Sequence, residues 1–351
     1  MREISDDSLR IIREFLSTPS KRYLFGATPY SAGIISKIQV RGVIDDFAST
    51  SSFHGVPVIR THEAPHDALV VATILGRPHS AKKHLERSGL LNCDYFIFHR
   101  YSEIDLPFAR FWTGVKEDSE THRHELAWAR SLLSDALSID IFDRIVNFRR
   151  SANLMELDGF FENQVNQYFE DFLGLKYANE TFLDIGCFDG KTSIQFKKRC
   201  PEFKQIHIFE PDPSNFKVVR SLFSSDPRII CHAFGLSSYA TTASFCSSGS
   251  TSAVSTKGDI TVELRTLDSV ALRDVTFVKV DVEGSERDVL TGAHKLISLQ
   301  RPSLAIAVYH RPSDLWSIPK EVMSIRADYD VYLRHYTEGV TETVMFFVPK
   351  K

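Results

Sequence analysis

Cysteine is scarce in this sequence of 351 residues, and the five cysteines form no recognisable pair. Their number is odd and none stands in a Cys-x-x-Cys arrangement: they are Cys93, Cys187, Cys200, Cys231 and Cys246. Such a distribution argues against a disulfide framework and against a zinc site, and it is typical of a reducing compartment. We therefore expect a cytoplasmic protein without disulfide bonds.

Long apolar runs and a strong excess of one charge are also missing. No run approaches the ~20 residues that a membrane-spanning helix needs. The first residues, Met-Arg-Glu-Ile-Ser-Asp-Asp, lack the apolar core of a signal peptide. The formal net charge of −3 gives no reason to expect nucleic acid or an anionic membrane as a partner. What remains is an ordinary globular composition, long enough for two domains.

One stretch combines a buried strand with an acidic turn. Phe182-Leu-Asp-Ile-Gly-Cys-Phe-Asp-Gly190 predicts a strand that turns sharply into a helix, but its turn is no Gly-x-Gly-x-x-Gly. Gly186 and Gly190 can take positive φ or admit a ligand against bare backbone. The following helix directs its free N–H groups into the turn. Asp184 and Asp189 make the turn acidic, which suits a cationic ligand better than a pyrophosphate.

The next strand ends in another acid. His207-Ile-Phe-Glu210 is followed by Pro211-Asp-Pro213, which stops the strand and begins a helix. A carboxylate at the tip of a second strand can accept hydrogen bonds from both hydroxyls of a ribose. Ribose recognition beside an acidic turn favours a ligand that carries an amine and a sulfonium, and S-adenosylmethionine (SAM) fits that description.

Four motifs then follow one another in a familiar order. They are Asp184-Ile-Gly-Cys-Phe-Asp-Gly190, Phe209-Glu-Pro-Asp-Pro213, Leu267-Asp268, and Val278-Lys-Val-Asp-Val-Glu-Gly-Ser-Glu286 with Leu290-x-Gly-Ala293 after it. With these motifs the chain resembles the FkbM family of SAM-dependent methyltransferases over about residues 150–349. The resemblance implies an α/β class I methyltransferase fold, with a mostly parallel seven-stranded sheet that ends in an antiparallel hairpin. It also implies SAM as cofactor and a hydroxyl acceptor on a sugar, a glycan or a secondary metabolite.

Two sets of candidate residues follow from the motifs and the strand ends. The predicted cofactor-binding residues are Asp184, Gly186, Cys187, Asp189, Gly190, Glu210, Asp212 and Asp281. The predicted catalytic residues are Asp281, Glu283 and His310. Cys187 could also be a nucleophile, but packing of a small residue is the preferred interpretation.

The catalytic candidates have specific predicted roles. Lys279, Asp281 and Glu283 share one face of a strand by its period of two, and a lysine between carboxylates keeps them ionised. Asp281 would orient the cofactor amine or the acceptor, and Glu283 would hold the acceptor. His310, at the tip of the fifth strand, suits a general base.

Each of these roles has an alternative. Glu283 and Glu286 would otherwise simply begin the next helix, where acids are favourable. His310 would otherwise cap the helix after it, and Asp268 a short helix of its own. Asp281, Glu283 and His310 also have the side chains of a magnesium site. Nothing in their spacing requires a metal, so the prediction contains no metal ligand.

The N-terminal part has a near match to a nucleotide-binding turn. We predict a Rossmann-like α/β domain over residues 1–102, with strands at Arg22–Gly26, Gly42–Asp46, Ala68–Ile74 and Asp94–Phe98. Gly26-Ala-Thr-Pro-Tyr-Ser-Ala-Gly33 lies between the first two, but Thr28 replaces the second glycine and Pro29 stands where the helix should open. Two interpretations stay open: a docking or oligomerisation domain, or a domain that binds a nucleotide or nucleotide-sugar.

Residues 103–174 predict a helical connector and lid, and 175–351 the methyltransferase domain. Within the connector we expect helices at Glu120–Ala136, Ile139–Arg150 and Asn153–Leu173, with Tyr168 or Glu170 near the ligand. The polar run Ser247–Gly258 is either a loop that closes over the acceptor or a plain turn. Two other functions remain: a non-catalytic or nucleotide-sugar-binding protein with a degenerate methyltransferase domain, and an NAD-dependent enzyme.

Overall fold

The computed structural model describes residues 6–163, 165–246, 253–254 and 260–351. The chain divides into two compact units. Unit 1 comprises Met1–His122, Asp140–Asn163 and Tyr336–Thr341, and unit 2 comprises Arg123–Ile139, Gln164–His335 and Glu342–Lys351. The predicted boundaries at 102 and 174 stay predictions, and the segment between them contributes to both units. Among the described helices, none has the length and apolar character that a membrane crossing requires.

The strands and helices are numbered in chain order. The strands are β1 (Arg22–Phe25), β2 (Gly42–Ile44), β3 (Ser52–Phe53), β4 (Val56–Ile59), β5 (Leu69–Ala72), β6 (Leu91–Asp94), β7 (Thr181–Ile185), β8 (Gln205–Phe209), β9 (Ile229–His232), β10 (Gly235–Leu236), β11 (Thr241–Cys246), β12 (Ala253–Val254), β13 (Ile260–Arg265), β14 (Phe277–Val280), β15 (Ser303–Ala307), β16 (Tyr329–His335) and β17 (Thr343–Pro349). The helices are α1 (Asp6–Ser17), α2 (Pro29–Ile35), α3 (Pro78–Arg87), α4 (Tyr95–Tyr101), α5 (Val115–Thr121), α6 (Arg123–Ser131), α7 (Ala136–Ser151), α8 (Lys191–Arg199), α9 (Pro213–Leu222), α10 (Glu286–Thr291), α11 (His294–Gln300) and α12 (Asp314–Ile325).

Unit 1 contains the predicted Rossmann-like sheet. Its strands lie in the order β3-β4-β2-β1-β5-β6, and all neighbours are parallel except β3 and β4. The predicted strand Asp94–Phe98 is wrong. Asp94 ends β6 instead, and its carboxylate caps α4 by accepting the Ile97 N–H at 3.1 Å. An apolar run directly after a capping acid is therefore a helix here.

A short segment far along the chain completes unit 1. Tyr336–Thr341 joins β16 to β17 and belongs to this unit. The Glu338 carboxylate in this segment accepts the Ser80 backbone N–H at 2.8 Å and the Ser80 hydroxyl at 2.5 Å. Ser80 lies in the first turn of α3, where free N–H groups favour an acid.

The helices predicted between the two sheets are only partly present. The predicted helix Ile139–Arg150 is confirmed as α7, whereas Glu120–Ala136 is split into α5 and α6 at His122. The predicted helix over Asn153–Leu173 is wrong, because its described residues form only short 3-10 turns at Leu154–Leu157 and Asp171–Leu173. Gly159 and Tyr168 have positive φ, which interrupts any helix.

Unit 2 confirms the predicted class I methyltransferase-like architecture. Its seven strands lie in the order β16-β17-β15-β14-β7-β8-β9, parallel from β15 to β9 and antiparallel at β17 and β16. Phe182 on β7 stacks between Phe196 and Phe277, at ring distances of 4.5 and 5.1 Å. The carboxyl ends of β7, β8, β14 and β15 share one edge of the sheet, where open α/β sheets bind ligands.

A second sheet and a pair of short helices follow β9 in unit 2. The strand order of this sheet is β10-β13-β11-β12, and the polar run Ser247–Gly258 lies outside the described residues except at 253–254. The helical segment after β14 is divided into α10 and α11. At the break, a Cβ on Gly292 would lie 2.1 Å from the Ser237 backbone oxygen. Asp268 does not cap a short helix next to it in the sequence. Its carboxylate accepts the Lys295 and Leu296 N–H groups of α11, both at 2.9 Å.

Candidate active site

The turn after β7 depends on its two glycines. Gly186 has a φ of +78°, and a Cβ built on it would lie 1.8 Å from the backbone oxygen of Asp281. Gly190 has a φ of +77° directly before α8, and a Cβ there would lie 3.0 Å from the ring of Phe223. Backbone conformation and space therefore both exclude a side chain at Gly186. The turn therefore lies directly against the main chain at the end of β14.

Asp184 is fully buried beneath this turn. Its carboxylate accepts the Ser193 hydroxyl at 2.7 Å and lies 3.3 Å from the Lys279 ammonium. Lys279 in turn donates to the backbone oxygens of Ile185, at 3.4 Å, and of Gly186. Burial lowers the pKa of Lys279, but the neighbouring carboxylates outweigh it and the pKa is raised. This buried pair therefore holds the turn in shape, and a direct ligand contact by Asp184 stays a prediction.

Glu210 connects the tip of β8 to the same turn. One carboxylate oxygen accepts the Phe188 N–H at 3.0 Å, and the other accepts the Asp212 N–H at 2.9 Å. The side chain is almost completely buried. Burial raises the pKa of Glu210 to about 7, although the two N–H donors act against the shift. An acid that titrates near neutrality at a strand tip is typical of a functional position.

The other predicted cofactor residues surround the turn. Asp212 caps α9 by accepting the N–H groups of Ser214 and Asn215, at 2.8 and 3.1 Å. Asp189 is partly exposed and pairs with the Lys191 ammonium at 2.7 Å. Burial raises the pKa of the Cys187 thiol well above its ordinary value, which favours packing over nucleophilic chemistry. Cofactor contacts by these residues stay predictions.

The sequence interpretation overlooked one feature of this turn. Gly190-Lys191-Thr192 is the Gly-Lys-Thr with which a phosphate-binding loop ends. Only Cys187-Phe-Asp189 separates it from Gly186, one residue short of the phosphate-binding spacing. Lys191 also pairs with Asp189 at 2.7 Å. The acidic character of the turn is therefore the better guide to its ligand.

The three predicted catalytic residues converge at the adjacent strand ends. The Nε2 atom of His310 lies 3.5 Å from Asp281 Oδ1 and 3.6 Å from Glu283 Oε2. The histidine side chain is fully buried, whereas Asp281 and Glu283 are 22% and 17% exposed. The alternative role of His310 as a helix cap does not describe this geometry, since Ser313 occupies the N-cap position of α12. The sequence therefore grouped these residues correctly, although their roles stay predictions.

Glu286 is a member of this cluster whose function the sequence did not indicate. Its carboxylate lies 2.9 Å from His310 Nδ1 and accepts the backbone N–H groups of Val282 and Gly284, at 2.9 and 3.2 Å. It also begins α10, as the alternative interpretation held. Burial by itself lowers the pKa of His310, but Glu286, Asp281 and Glu283 raise it to about 9. Glu286 therefore stabilises both the loop and the charged imidazole.

Residues from distant parts of the chain complete the cluster. The Tyr168 hydroxyl donates to Asp281 Oδ2 at 2.8 Å, and the position of Tyr168 or Glu170 near the ligand stays a prediction. Glu342 accepts the Gln167 amide and the Tyr309 hydroxyl, the latter at 3.3 Å. Burial raises the pKa of Glu342 to about 7, and the nearby Asp281 adds to the shift. Nothing in the sequence around Glu342 distinguishes it from a surface acid.

Backbone strain is concentrated around this edge of the sheet. Tyr168, Phe188, Glu283 and Glu342 have φ of 70°, 52°, 57° and 62°, in the left-handed region that disfavours side chains. Each such residue costs of the order of 1 kcal/mol, and such strain clusters at functional sites. All four contribute an atom to the contacts described above.

Taken together, the strand order, the glycine turn after β7 and the acid at the tip of β8 define a class I methyltransferase-like fold. Residues 184–332 match the family model described as the Methyltransferase FkbM domain. Residues 184–332 are therefore similar to an FkbM methyltransferase domain. This confirms the family resemblance seen in its motifs. No curated protein sequence matches the chain.

Similar solved structures agree with the fold. Methyltransferase FkbM from Methylobacillus flagellatus KT is 22% identical, with a TM-score of 0.77 over 96% of this chain and 93% of that chain. At that identity the likeness shows the fold alone. Fibrillarin from Aeropyrum pernix with bound SAM is 12% identical, with a TM-score of 0.35 over 55% of this chain and 84% of that chain. An rRNA methylase from Streptococcus thermophilus is 10% identical, with a TM-score of 0.36 over 52% of this chain and 93% of that chain. The last two likenesses are too weak to support an argument.

Proposed function

We propose that this chain is a SAM-dependent O-methyltransferase that acts on a hydroxyl of a sugar, a glycan or a secondary metabolite. The observation that carries the proposal is the position of Glu210. Its carboxylate lies at the tip of β8 and accepts the Phe188 N–H of the glycine turn at 3.0 Å. At one edge of the sheet, an acid in the position that binds ribose hydroxyls in Rossmann-like folds thus lies next to a turn that has no side chain at Gly186.

The residues of the turn fit SAM better than a phosphate-containing ligand. Glu210 can accept the two ribose hydroxyls, and the absence of a Cβ at Gly186 lets a ligand approach the backbone. The carboxylate of Asp189, partly exposed, suits the ligand's amine. When bound, SAM supplies an electrophilic methyl group on its sulfonium. Phe188 is 39% exposed beside Glu210 and offers an aromatic surface at the same turn.

The acidic cluster supports a neutral polyhydroxylated acceptor. Asp281 and Glu283 keep partial access to solvent, and carboxylates accept hydrogen bonds from hydroxyl groups. The same carboxylates repel an acceptor that carries a carboxylate or phosphate near its reacting hydroxyl. The carboxylates of Asp281 and Glu283 would hold the acceptor hydroxyl and receive its proton, and His310 would position both carboxylates.

The first test is isothermal titration calorimetry with SAM and with S-adenosylhomocysteine. Micromolar binding of either ligand is the expected result, and an absence of binding to both would refute the cofactor assignment. Transfer of a labelled methyl group from SAM to neutral sugars, glycans and nucleotide-sugars then identifies the acceptor class. His310→Ala should lower turnover by at least tenfold and leave the affinity for SAM unchanged. Unchanged turnover would remove His310 from the mechanism.

The same experiment separates the rival function. A chain that binds SAM tightly and transfers no methyl group to any hydroxyl acceptor would be a non-catalytic protein with a degenerate methyltransferase domain. A cytoplasmic location and oligomerisation through unit 1 are further proposals. The free thiols of Cys93, Cys187, Cys200 and Cys231 support the first of these.

A further inference from the structure

We infer that Asp281, Glu283 and His310 form a site for one divalent cation, with Glu286 orienting the imidazole. The site deepens the proposed function, on which its role in catalysis rests, but its existence can be tested without SAM. The sequence spacing of these residues did not require a metal. The fold brings them together from the end of β14 and the end of β15.

The distances within the cluster are those of a coordination shell. His310 Nε2 lies 3.5 Å from Asp281 Oδ1 and 3.6 Å from Glu283 Oε2. Both separations exceed a good hydrogen bond. Two ligands that each lie ~2.1 Å from one cation are about 3.0 to 3.5 Å apart in octahedral or tetrahedral geometry. His310 Nε2 therefore lies at a suitable distance from each of the two carboxylates for both to share one ion with it.

Outer contacts orient two of the three proposed ligands. Glu286 lies 2.9 Å from His310 Nδ1, so the ring presents Nε2 to Asp281 and Glu283. The Tyr168 hydroxyl donates to Oδ2 of Asp281 at 2.8 Å. The other carboxylate oxygen of Asp281, Oδ1, is the one near His310. A carboxylate on the far nitrogen of a ligating histidine and a hydrogen bond on a ligating carboxylate are the outer shell of protein metal sites.

The charges also favour a cation. The carboxylates of Asp281, Glu283 and Glu286 surround one imidazole, and their side chains are 22%, 17% and 1% exposed. The protonated imidazole supplies one positive charge to these acids, and a divalent cation that replaces its Nε2 proton supplies more. Lys279, the buried ammonium nearby, already pairs with Asp184 at 3.3 Å. Oxygens of Asp281 and Glu286 and a nitrogen of His310 lie within 4.8 Å of one another.

The donor types narrow the choice of ion. One imidazole with carboxylates and no thiolate suits Mn²⁺ or a similar first-row ion, whereas Ca²⁺ prefers oxygen ligands alone. Asp281 and Glu283 are 22% and 17% exposed, so an ion bound to them remains accessible to an acceptor oxygen as a further ligand. A cation there lowers the pKa of a bound hydroxyl, which is the group that the proposed reaction must deprotonate.

The test is a titration of the full chain with Mn²⁺ without SAM, with free Mn²⁺ measured by electron paramagnetic resonance. We expect one ion per chain. His310→Gln and Glu283→Gln should each weaken binding at least tenfold, and Glu286→Gln by about 10- to 100-fold. His294→Ala removes an exposed histidine of α11 and should leave binding unchanged. Thermal unfolding of each variant verifies the fold, and Glu283→Gln, on a partly exposed loop, keeps the test valid if a buried variant fails to fold.

The outcomes separate the metal site from the proposed function. No Mn²⁺ binding by the unaltered chain, or equal binding by His310→Gln and Glu283→Gln, overturns the metal site. A SAM titration in the presence of EDTA reports the cofactor assignment alone. SAM binding without Mn²⁺ binding therefore refutes only the cation, and Mn²⁺ binding without SAM binding supports the cation while refuting the cofactor.

Discussion

The two units contain the same turn, and the comparison shows what makes such a turn available to a ligand. In unit 1 the turn at Gly26 follows β1, and the acid at the end of β2, Asp45, accepts the Ala27 N–H at 2.9 Å. In unit 2 the turn at Gly186 follows β7, and Glu210 accepts the Phe188 N–H at 3.0 Å. The same backbone arrangement thus serves both Rossmann-like sheets.

The turns differ in what satisfies their polar groups. In unit 1, Ser31 donates to the Gly26 oxygen at 2.6 Å, and Thr28 and Thr73 hydrogen-bond to each other at 2.9 Å. The second oxygen of Asp45 accepts two more loop N–H groups, at 2.9 and 3.0 Å. The turn of unit 1 is therefore filled by its own hydroxyls. In unit 2, the turn is instead held by a buried ion pair, in which Lys279 lies 3.3 Å from Asp184 and donates to the Gly186 oxygen.

The largest effect should come from adding one methyl group to each turn. In Gly186→Ala the new Cβ would lie 1.8 Å from a backbone oxygen, so we expect a loss of at least ~3 kcal/mol of stability and of SAM binding. In Gly26→Ala the Cβ would lie 2.3 Å from the movable end of Ile74, so a loss of ~1 to 2 kcal/mol with SAM binding intact is expected. Calorimetric unfolding and SAM titration measure both. Equal losses in the two variants would mean that the turns are equivalent.

The second effect concerns the two acids. Glu210→Ala removes the proposed acceptor of the ribose hydroxyls, and two charge-assisted hydrogen bonds are worth about 100-fold or more in affinity. Asp45→Ala is the matched control, since it removes the corresponding acid from the turn of unit 1. Because the proposed SAM site lies in unit 2, the affinity for SAM should stay within about twofold of the unaltered chain. Titration calorimetry of both variants decides the matter. Wild-type affinity in Glu210→Ala would refute the assignment of Glu210.

A smaller effect should appear as a dependence of SAM affinity on pH. Burial raises the pKa of Glu210 to about 7, so the carboxylate that accepts ribose hydroxyls is present above that pH and protonated below it. Affinity should fall as pH decreases through 7, approaching tenfold per unit. Titrations at about pH 5.5, 6.5 and 7.5 test this, and Asp45→Ala should keep the same profile. A flat profile would show that Glu210 is not the titrating acceptor.

The smallest expected effect is none at all. NAD should give no binding heat with the full chain, because hydroxyls of Thr28, Ser31 and Thr73 occupy the turn of unit 1 where a pyrophosphate would approach. Thr28→Gly with Ser31→Ala opens this turn, and NAD binding by that variant alone would show that the filling side chains are the obstacle. NAD binding by the unaltered chain would instead make unit 1 a nucleotide site.

Sequence patterns predicted those parts of the molecule that local chemistry determines. The strand and the helix on either side of the turn at Gly186 were predicted and are confirmed as β7 and α8, because an apolar run, a glycine turn and a helix start follow one another directly. The predicted helix over Asn153–Leu173 was wrong, because the apolar side chains of this segment are carried by short turns and not by a helix. Tyr168 has a positive φ and a hydrogen bond to Asp281, far along the chain, and no local pattern predicts either of them.

The candidate site divides in the same way. Asp281, Glu283 and His310 were found because each stands at a strand end, which fixes the edge of the sheet that it occupies. Glu286 was taken for a helix start, which it is, but its contact with His310 is a product of the fold. Glu342 meets Gln167 and Tyr309 only through tertiary structure. Burial, the property that marks these acids, is not encoded next to them in the sequence.

The segment Tyr336–Thr341 has a consequence for how this protein is made and inherited. The chain enters unit 1 three times, and the last entry brings Glu338 to Ser80. During synthesis the contact between Ser80, at the beginning of α3, and Glu338 can form only when nearly the whole chain has left the ribosome. No single cut releases either unit whole, so truncation at one boundary should yield aggregation-prone fragments. For the same reason, genetic recombination at one point cannot exchange unit 1 for another domain.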